Sequence, residues 1–344
     1  MLNTLSLCPT CYKKIPAGIF FKDGAVWMIK ECDQHGRFSA LVEKDQGFFS
    51  AFYREGTLGK NTSIIVHSYN KCNLSCKWCY YPMGEEAILP PETVDQVLGM
   101  YRGYTLMLSG GEPTIDPEFF AKLATYKRLG WNTACITNMV KLADKDFFSQ
   151  ALESPLLVGN SLSFACSFQH PTTYPKAILD AKFQALHNFE VTGTRPACLM
   201  FSIESLSELD FIAEFYSRTR GFYPMIRIRT MFRNWKAKGI KKEIFLSDLY
   251  KAFLEKFQEY NPMQSEKAER SNLYCLYMKM DGCEVSLSCA PSVEDVDYHQ
   301  CSRPVYMLAR DLRCYPVPLA QIVNEGISAG WKDGFCLKEG SPCM

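Results

Sequence analysis

Six short apolar or β-branched runs, separated by five amphipathic stretches, constrain the fold of this chain more than any other feature. The runs fall at 63–68, 105–108, 133–137, 162–168, 197–203 and 225–230. Stretches of helical period lie between them, at 91–101, 117–129, 143–152, 175–189 and 207–219. Pro91-Glu92 and Asp116-Pro117-Glu118 supply helix starts with an acidic first turn. Such strand–helix repeats build parallel sheets through right-handed crossovers. The period alone does not separate an open sheet from a barrel.

The flanks read differently. Over residues 1–60, Ile19-Phe20-Phe21 and Val26-Trp27-Met28-Ile29 bracket Lys22-Asp23-Gly24, and Asp-Gly between apolar runs predicts a β-hairpin. Residues 38–42 supply a third strand to this small β module. The repeating region occupies 61–240. From 241 to 344 a helix-like segment (246–260) leads through a charged loop to short strands and seven cysteines. A net charge of +1 without long basic runs predicts no nucleic acid or anionic membrane as partner. No apolar stretch is long enough to cross a bilayer and no secretory signal is visible, so the expected location is the cytoplasm.

Sixteen cysteines in a reducing compartment point to metal or cluster binding rather than a disulfide framework. Cys135, Cys166 and Cys198 sit inside strand-like runs and read as buried small hydrophobes. The others gather in three groups. The middle group, Cys72, Cys76 and Cys79, has the spacing C-x3-C-x2-C directly after the first strand of the repeat. Three thiolates on one loop can hold three irons of a 4Fe–4S cluster and leave the fourth open. Zinc would call for a fourth ligand, and His67 reads as a strand residue facing the core or lining a barrel.

This loop, with the aromatic Tyr80 behind it, resembles the signature of the radical S-adenosylmethionine (SAM) superfamily. Ser109-Gly110-Gly111-Glu112-Pro113, after the second strand, is similar to the Gly-Gly-Glu motif of that family. The resemblance covers about residues 60–240. It implies an α/β fold, a partial (βα)6 TIM-like barrel, and an enzyme whose unique iron is chelated by SAM. It also implies reductive cleavage of SAM to a 5′-deoxyadenosyl radical, fed by a one-electron donor such as flavodoxin or ferredoxin. Tyr80, Gly110, Gly111, Glu112, Asn138, Ser167, Gln169, Ser202 and Arg229 become candidate cofactor-binding residues. The glycines would allow close backbone approach to the cofactor. Glu112 would face its amino group or serve the structure, and Arg227 stands as an equal alternative to Arg229.

At the N-terminus, Cys8-Pro9-Thr10-Cys11 and Cys32-Asp33-Gln34-His35 form two knuckles that suit a closed tetrahedral site for zinc or a rubredoxin-like iron. They resemble the N-terminal module of the branch containing archaeal tetraether lipid synthase and the archaeal pterin methyltransferase. In the tail, Cys289, Cys301, Cys314 and Cys336 form a candidate auxiliary cluster, and Asp295, Asp297 and His299 read as an exposed acidic loop. The tail lacks the C-x2-C pairs of the peptide maturases. The expected function is therefore radical chemistry on a small-molecule, lipid-like or nucleotide-derived substrate, ending in carbon–carbon bond formation or methyl-type transfer. The alternatives are a peptide or protein side chain as substrate, and a non-catalytic zinc-binding module.

Overall fold

The structure is a computed structural model that describes residues 2–11, 13–53, 63–76, 79, 88–169, 171–230, 244–265, 271, 273–289 and 294–297, with backbone alone at 305–308, 313–316 and 335–336. Four antiparallel strands form the first sheet: β1 (Leu2–Leu7), β2 (Lys14–Lys22), β3 (Ala25–Cys32) and β4 (Gly36–Glu43). The predicted hairpin closes through Asp23 and Gly24, both at positive φ (51° and 73°), as a two-residue primed turn requires. Helix α1 (Gln46–Phe52) follows, its first turn capped by the Asp45 carboxylate accepting from Phe48 N.

The second sheet begins with β5 (Ser63–Tyr69) and continues through α2 (Pro91–Leu98), β6 (Thr105–Gly110), α3 (Phe119–Arg128), β7 (Asn132–Thr137), α4 (Lys145–Glu153), the two-residue β8 (Leu157–Val158) and β9 (Ser161–Ser167). It goes on with α5 (Lys176–Val191), β10 (Arg195–Ile203), α6 (Glu208–Thr219) and β11 (Met225–Thr230). The six long strands pair in chain order and all in parallel, β5-β6-β7-β9-β10-β11. All six predicted strands are present. After α7 (Leu246–Lys256) and β12 (Met263–Gln264), β13 (Cys275–Met280) turns back into β14 (Cys283–Ser288), which adds to β11 in parallel. At the other edge β15 (Val305–Leu308) pairs with β5, followed by β16 (Arg313–Pro316) and β17 (Phe335–Cys336). The result is a mixed α/β fold whose pairing path runs from β12 to β17.

Alternation decides which face of that sheet is packed. Leu162, Phe164 and Cys166 of β9, Leu199, Phe201 and Ile203 of β10, and Ile226 and Ile228 of β11 join Leu123, Phe148, Phe189, Phe215 and Phe253 of the helices in one core. Burying each large side chain there contributes about 1.5–3 kcal/mol. Cys135 and Cys166 are fully buried in this core, as expected of small hydrophobes, whereas Cys198 is buried on the opposite face. No helix among the described residues is long and apolar enough to cross a membrane.

The first sheet is tied to the rest of the chain at both ends. Glu43 Oε1 accepts from Ser247 Oγ at 2.6 Å, Lys44 pairs with Asp248, and Lys251 with Asp45 at 2.6 Å. At the other end, Thr4 Oγ1 donates to Asp297 Oδ1 at 2.7 Å and Ser6 Oγ to the Val296 carbonyl at 2.6 Å. Asp295 and Asp297 are therefore not an exposed acidic loop: they are 2% and 0% exposed. The Thr4 hydroxyl on the Asp297 carboxylate, and the Tyr274 hydroxyl on Asp297 N and the Asp295 carbonyl, stand where sequence polarity alone would place water. His299 lies outside the described residues.

Candidate functional site

Two loops meet at the C-terminal ends of β5 and β6. The first carries Cys72, Cys76 and Cys79; within it Leu74 N approaches Cys72 Sγ at 3.4 Å, and Cys79 N donates to Cys76 O at 3.1 Å. The second is the Gly110-Gly111-Glu112 turn. Gly111 N donates to Tyr69 O (2.7 Å) and Glu112 N to Lys71 O (2.8 Å), so the turn is hydrogen-bonded to the base of the cysteine loop. A Cβ on Gly111 would lie 2.1 Å from Lys71 O, which is why only glycine fits. Gly110 sits at φ 119°, also a glycine conformation.

Glu112 is 1% exposed and both its oxygens are engaged. Oε1 accepts from Thr114 N (3.1 Å), Thr114 Oγ1 (2.6 Å) and Thr137 Oγ1 (2.7 Å), and Oε2 from Asn138 N (2.6 Å). Burial pushes its carboxyl above the ordinary range, against those hydrogen bonds, which favour the ion. Asn138 passes the connection on: its Nδ2 donates to Asn73 Oδ1 at 2.7 Å and lies 3.8 Å from Cys72 Sγ. The Glu112 carboxylate thus links the turn after β6, the turn after β7 and the cysteine loop.

Two side chains that the sequence reading missed complete the surroundings. Tyr174 OH lies 3.4 Å from Cys76 Sγ and donates to Gln169 Oε1 at 2.8 Å, and Gln169 in turn donates to Ser167. Lys182, fully buried, donates to the carbonyls of Asn138 (2.9 Å) and Ser167 (2.7 Å), with its ammonium 4.9 Å from the Tyr174 ring centre. Burial pushes its pKa down to about 8, opposed by the charges of Cys76 and Glu112. Its signal was present in the sequence: Lys182 shares one helical phase with Ile178, Ala185, Leu186 and Phe189. Of the other candidates, Ser202 accepts from Arg229 Nε at 2.8 Å, and Tyr80 lies outside the described residues.

The three thiols suit a cluster. Cys76 and Cys79 lie near enough to Cys72 for their charges to oppose its ionisation, and burial with that repulsion pushes the Cys72 thiol up to about 11. Among the described residues, these three thiols do not close on one another into the tight ligand group seen at the N-terminus.

A second metal-competent group stands at the tip of the first sheet. The ligand atoms of Cys8, Cys11, Cys32 and His35 all lie within 4.8 Å of one another. Cys11 and Cys32 Sγ are 3.9 Å apart, and His35 Nδ1 is 3.6 and 3.5 Å from Cys8 and Cys32 Sγ. A tetrahedral ion with bonds of ordinary length needs roughly 3.8 Å between sulfurs and roughly 3.5 Å between sulfur and nitrogen. The Gln34 backbone and the His35 ring hold the Cys32 thiol below its usual range, the state a ligand needs.

In the tail, Cys289 is buried after β14 and its N–H donates to Tyr274 O. Cys314 on β16 and Cys336 on β17 fall on paired strands, one register step apart. Cys301 lies outside the described residues.

The sequence model of the radical SAM superfamily matches residues 66–162, which take in the end of β5, the cysteine loop, the Gly-Gly-Glu turn and Asn138. The chain carries a radical SAM domain. In front of that radical SAM domain, residues 2–44 match the HMPTM N-terminal zinc ribbon domain, the span of β1 to β4 and its Cys3His group. The 7,8-dihydro-6-hydroxymethylpterin dimethyltransferase of Methanocaldococcus jannaschii is 24% identical over 188 residues, 45% of this chain and 37% of that protein. The 7-carboxy-7-deazaguanine synthase of Haemophilus influenzae is 32% identical over 96 residues, 27% of this chain and 44% of that protein. The chain thus spans less than half the length of either curated relative in these matches. Among solved structures, Streptococcus suis SuiB bound to S-adenosylmethionine superposes with a TM-score of 0.51 at 13% identity, covering 76% of this chain and 61% of that one. SuiB bound to its precursor peptide SuiA gives 0.52 at 11% identity, covering 92% and 84%. These likenesses show the fold. The radical SAM domain implies a 4Fe–4S cluster and SAM.

Proposed function

We propose that this protein is a radical SAM enzyme whose 4Fe–4S cluster is held by Cys72, Cys76 and Cys79. The observation that carries this reading is the docking of the three-cysteine loop onto the Gly-Gly-Glu turn. Cys72, Cys76 and Cys79 would hold the cluster, which together with SAM would supply a 5′-deoxyadenosyl radical able to take a hydrogen atom from substrate. The protein's own residues do the rest. Gly111 and the Glu112 strut fix the loop, while Asn138 and Tyr174 place dipoles beside Cys72 and Cys76. Ser167, Gln169, Ser202 and Arg229, at the ends of β9, β10 and β11, form the wall facing the cofactor.

The substrate is proposed as a small molecule, with methyl-type transfer or carbon–carbon bond formation as outcome. This draws on the zinc ribbon and on the named activity of the pterin dimethyltransferase. A soluble one-electron donor such as flavodoxin or ferredoxin completes the system, and Cys289, Cys301, Cys314 and Cys336 are the proposed ligands of an auxiliary cluster.

Anaerobic reconstitution with iron and sulfide is expected to load about four irons with matching labile sulfide at the three-cysteine loop, and further iron and sulfide at the auxiliary cluster. Dithionite and SAM should then yield 5′-deoxyadenosine, faster with a reduced pterin than with a peptide. Stimulation by peptide alone would move the substrate to a protein side chain. Zinc without labile sulfide would leave only a zinc-binding module.

We further propose zinc in the ribbon. As purified, the protein is expected to hold about one zinc per chain. Cys32→Ser should release it and lower the melting temperature, because four strands alone bury little core. A zinc content unchanged by Cys32→Ser would remove Cys32 from the site.

A further inference from the structure

Two lysines reach from the helices onto the ends of the parallel strands, and their charges are met differently. On α3, Lys122 donates to the Ser68 carbonyl of β5 at 3.3 Å and forms an ion pair with Asp116 at 2.5 Å. On α5, Lys182 donates to the carbonyls of Asn138, after β7, and Ser167, at the end of β9. Among the described residues it has no ion pair with a carboxylate, and its side chain is 0% exposed, so water does not answer the charge either. An ammonium buried without a counter-charge is costly.

Holding two carbonyls together does not need that charge. Further along the same helix, Asn188 makes the equivalent link with a neutral amide, its Nδ2 donating to the carbonyls of Leu142 (2.9 Å) and Ala143 (3.3 Å). The charge of Lys182 therefore answers to something else. Burial pushes its pKa down to about 8, so at pH 7 the amine keeps its proton, and the negative groups that oppose burial are, in order, Cys76, Glu112, Cys166 and Cys72. Cys166 stays a thiol, because burial lifts it far above its ordinary range. Glu112 spends its oxygens on Thr114, Thr137 and Asn138. Cys76 and Cys72 remain. The Tyr174 ring connects the lysine to the first of them: its centre is 4.9 Å from the ammonium and its hydroxyl 3.4 Å from Cys76 Sγ.

We propose that Lys182 is a positioning residue for electron entry, a fixed positive charge held across the Tyr174 ring from Cys76 that stabilises the reduced cluster and so raises its midpoint potential. The proposal rests on the radical SAM reading. A cluster on three thiolates carries net negative charge, and gains one more negative charge on accepting an electron from the external one-electron donor, with no proton or bond exchanged. A nearby buried ammonium favours the more negative of the two states, and net charge is among the determinants of iron–sulfur potentials.

The test is a redox titration of the reconstituted, SAM-free protein at pH 7, followed by electron paramagnetic resonance. The signal that later addition of SAM perturbs belongs to Cys72, Cys76 and Cys79, which separates it from an auxiliary cluster. Lys182→Gln, which keeps a neutral donor, is expected to shift the equilibrium at least tenfold towards the oxidised cluster, about 59 mV for one electron. Lys182→Arg, which keeps the charge, should stay closer to wild type than to Lys182→Gln. Uptake of the cluster by Lys182→Arg but not by Lys182→Gln would also support the assignment, since charge would then be needed to hold the anionic group at all. A potential in Lys182→Gln at or above that of wild type would overturn it. An equal shift, or an equal loss of cluster, in both variants would overturn it too, because shape rather than charge would be at work. Wild type without iron and labile sulfide at the cysteine loop would overturn the radical SAM reading and this proposal together, whereas loaded wild type with an unshifted Lys182→Gln overturns the proposal alone.

Discussion

Gly111→Ala is expected to leave a folded protein that no longer retains its iron–sulfur cluster. The added Cβ would stand 2.1 Å from the Lys71 carbonyl oxygen and 2.6 Å from its carbon, and both are backbone. No rotamer change relieves such a contact. Either the turn or the base of the cysteine loop must retreat, breaking the bonds from Gly111 N to Tyr69 O and from Glu112 N to Lys71 O. Overpacking of this kind costs about 3 kcal/mol, roughly a hundredfold in the population of the docked loop. The cost falls on the geometry of Cys72, one residue away, rather than on the helix-packed core. Iron and sulfide content after reconstitution should collapse, and 5′-deoxyadenosine formation with it, while the far-ultraviolet spectrum holds. Gly103→Ala is the control, since nothing lies within 4 Å of its added Cβ and its backbone is ordinary. Full cluster retention by Gly111→Ala would show that the two loops are not mechanically coupled.

The comparison between sequence and fold follows the range of the forces involved. Strands β5, β6, β7, β9, β10 and β11 were legible because each is a local run of β-branched or apolar residues bounded by helical periodicity. The Asp23-Gly24 hairpin was legible because its turn demands those residues. Strand β1 was not, since Leu2–Leu7 carries Asn3, Thr4 and Ser6 and gains its identity from pairing with β2. Helix α1 has seven residues, too short for its period to register. The buried 295–297 segment is fixed by contacts with Thr4 and Ser6, nearly three hundred residues away, which no local pattern contains. At the site, ligand types and spacing announced Cys72, Cys76, Cys79 and the ribbon ligands. Tyr174 belongs to the site through a contact across 98 residues. The parallel addition of β14 to β11 is likewise non-local.

Glu112→Gln is expected to destabilise the protein before any cofactor is added. All four groups around the carboxylate are donors: Thr114 N, Thr114 Oγ1 and Thr137 Oγ1 on one oxygen, and Asn138 N on the other. A glutamine must present its amide NH2 to one of these sets. Turned the cheaper way, it faces the Asn138 N–H, leaving a buried donor unsatisfied at a cost of about 1–3 kcal/mol and weakening three charge-assisted bonds. Asn138 should then shift, and with it the Nδ2 contact to Asn73 beside Cys72. The melting temperature of cluster-free protein should fall, and reconstituted enzyme should cleave SAM more slowly. A carboxylate whose work is to bind the amino group of SAM predicts the opposite order: unchanged melting in the absence of SAM, with the whole deficit in SAM affinity. Differential scanning of the cluster-free variant therefore distinguishes a strut from a ligand. A strut is what the burial of Glu112 describes, because Oε1 already holds three donors, Oε2 holds the Asn138 N–H, and the residue is 1% exposed.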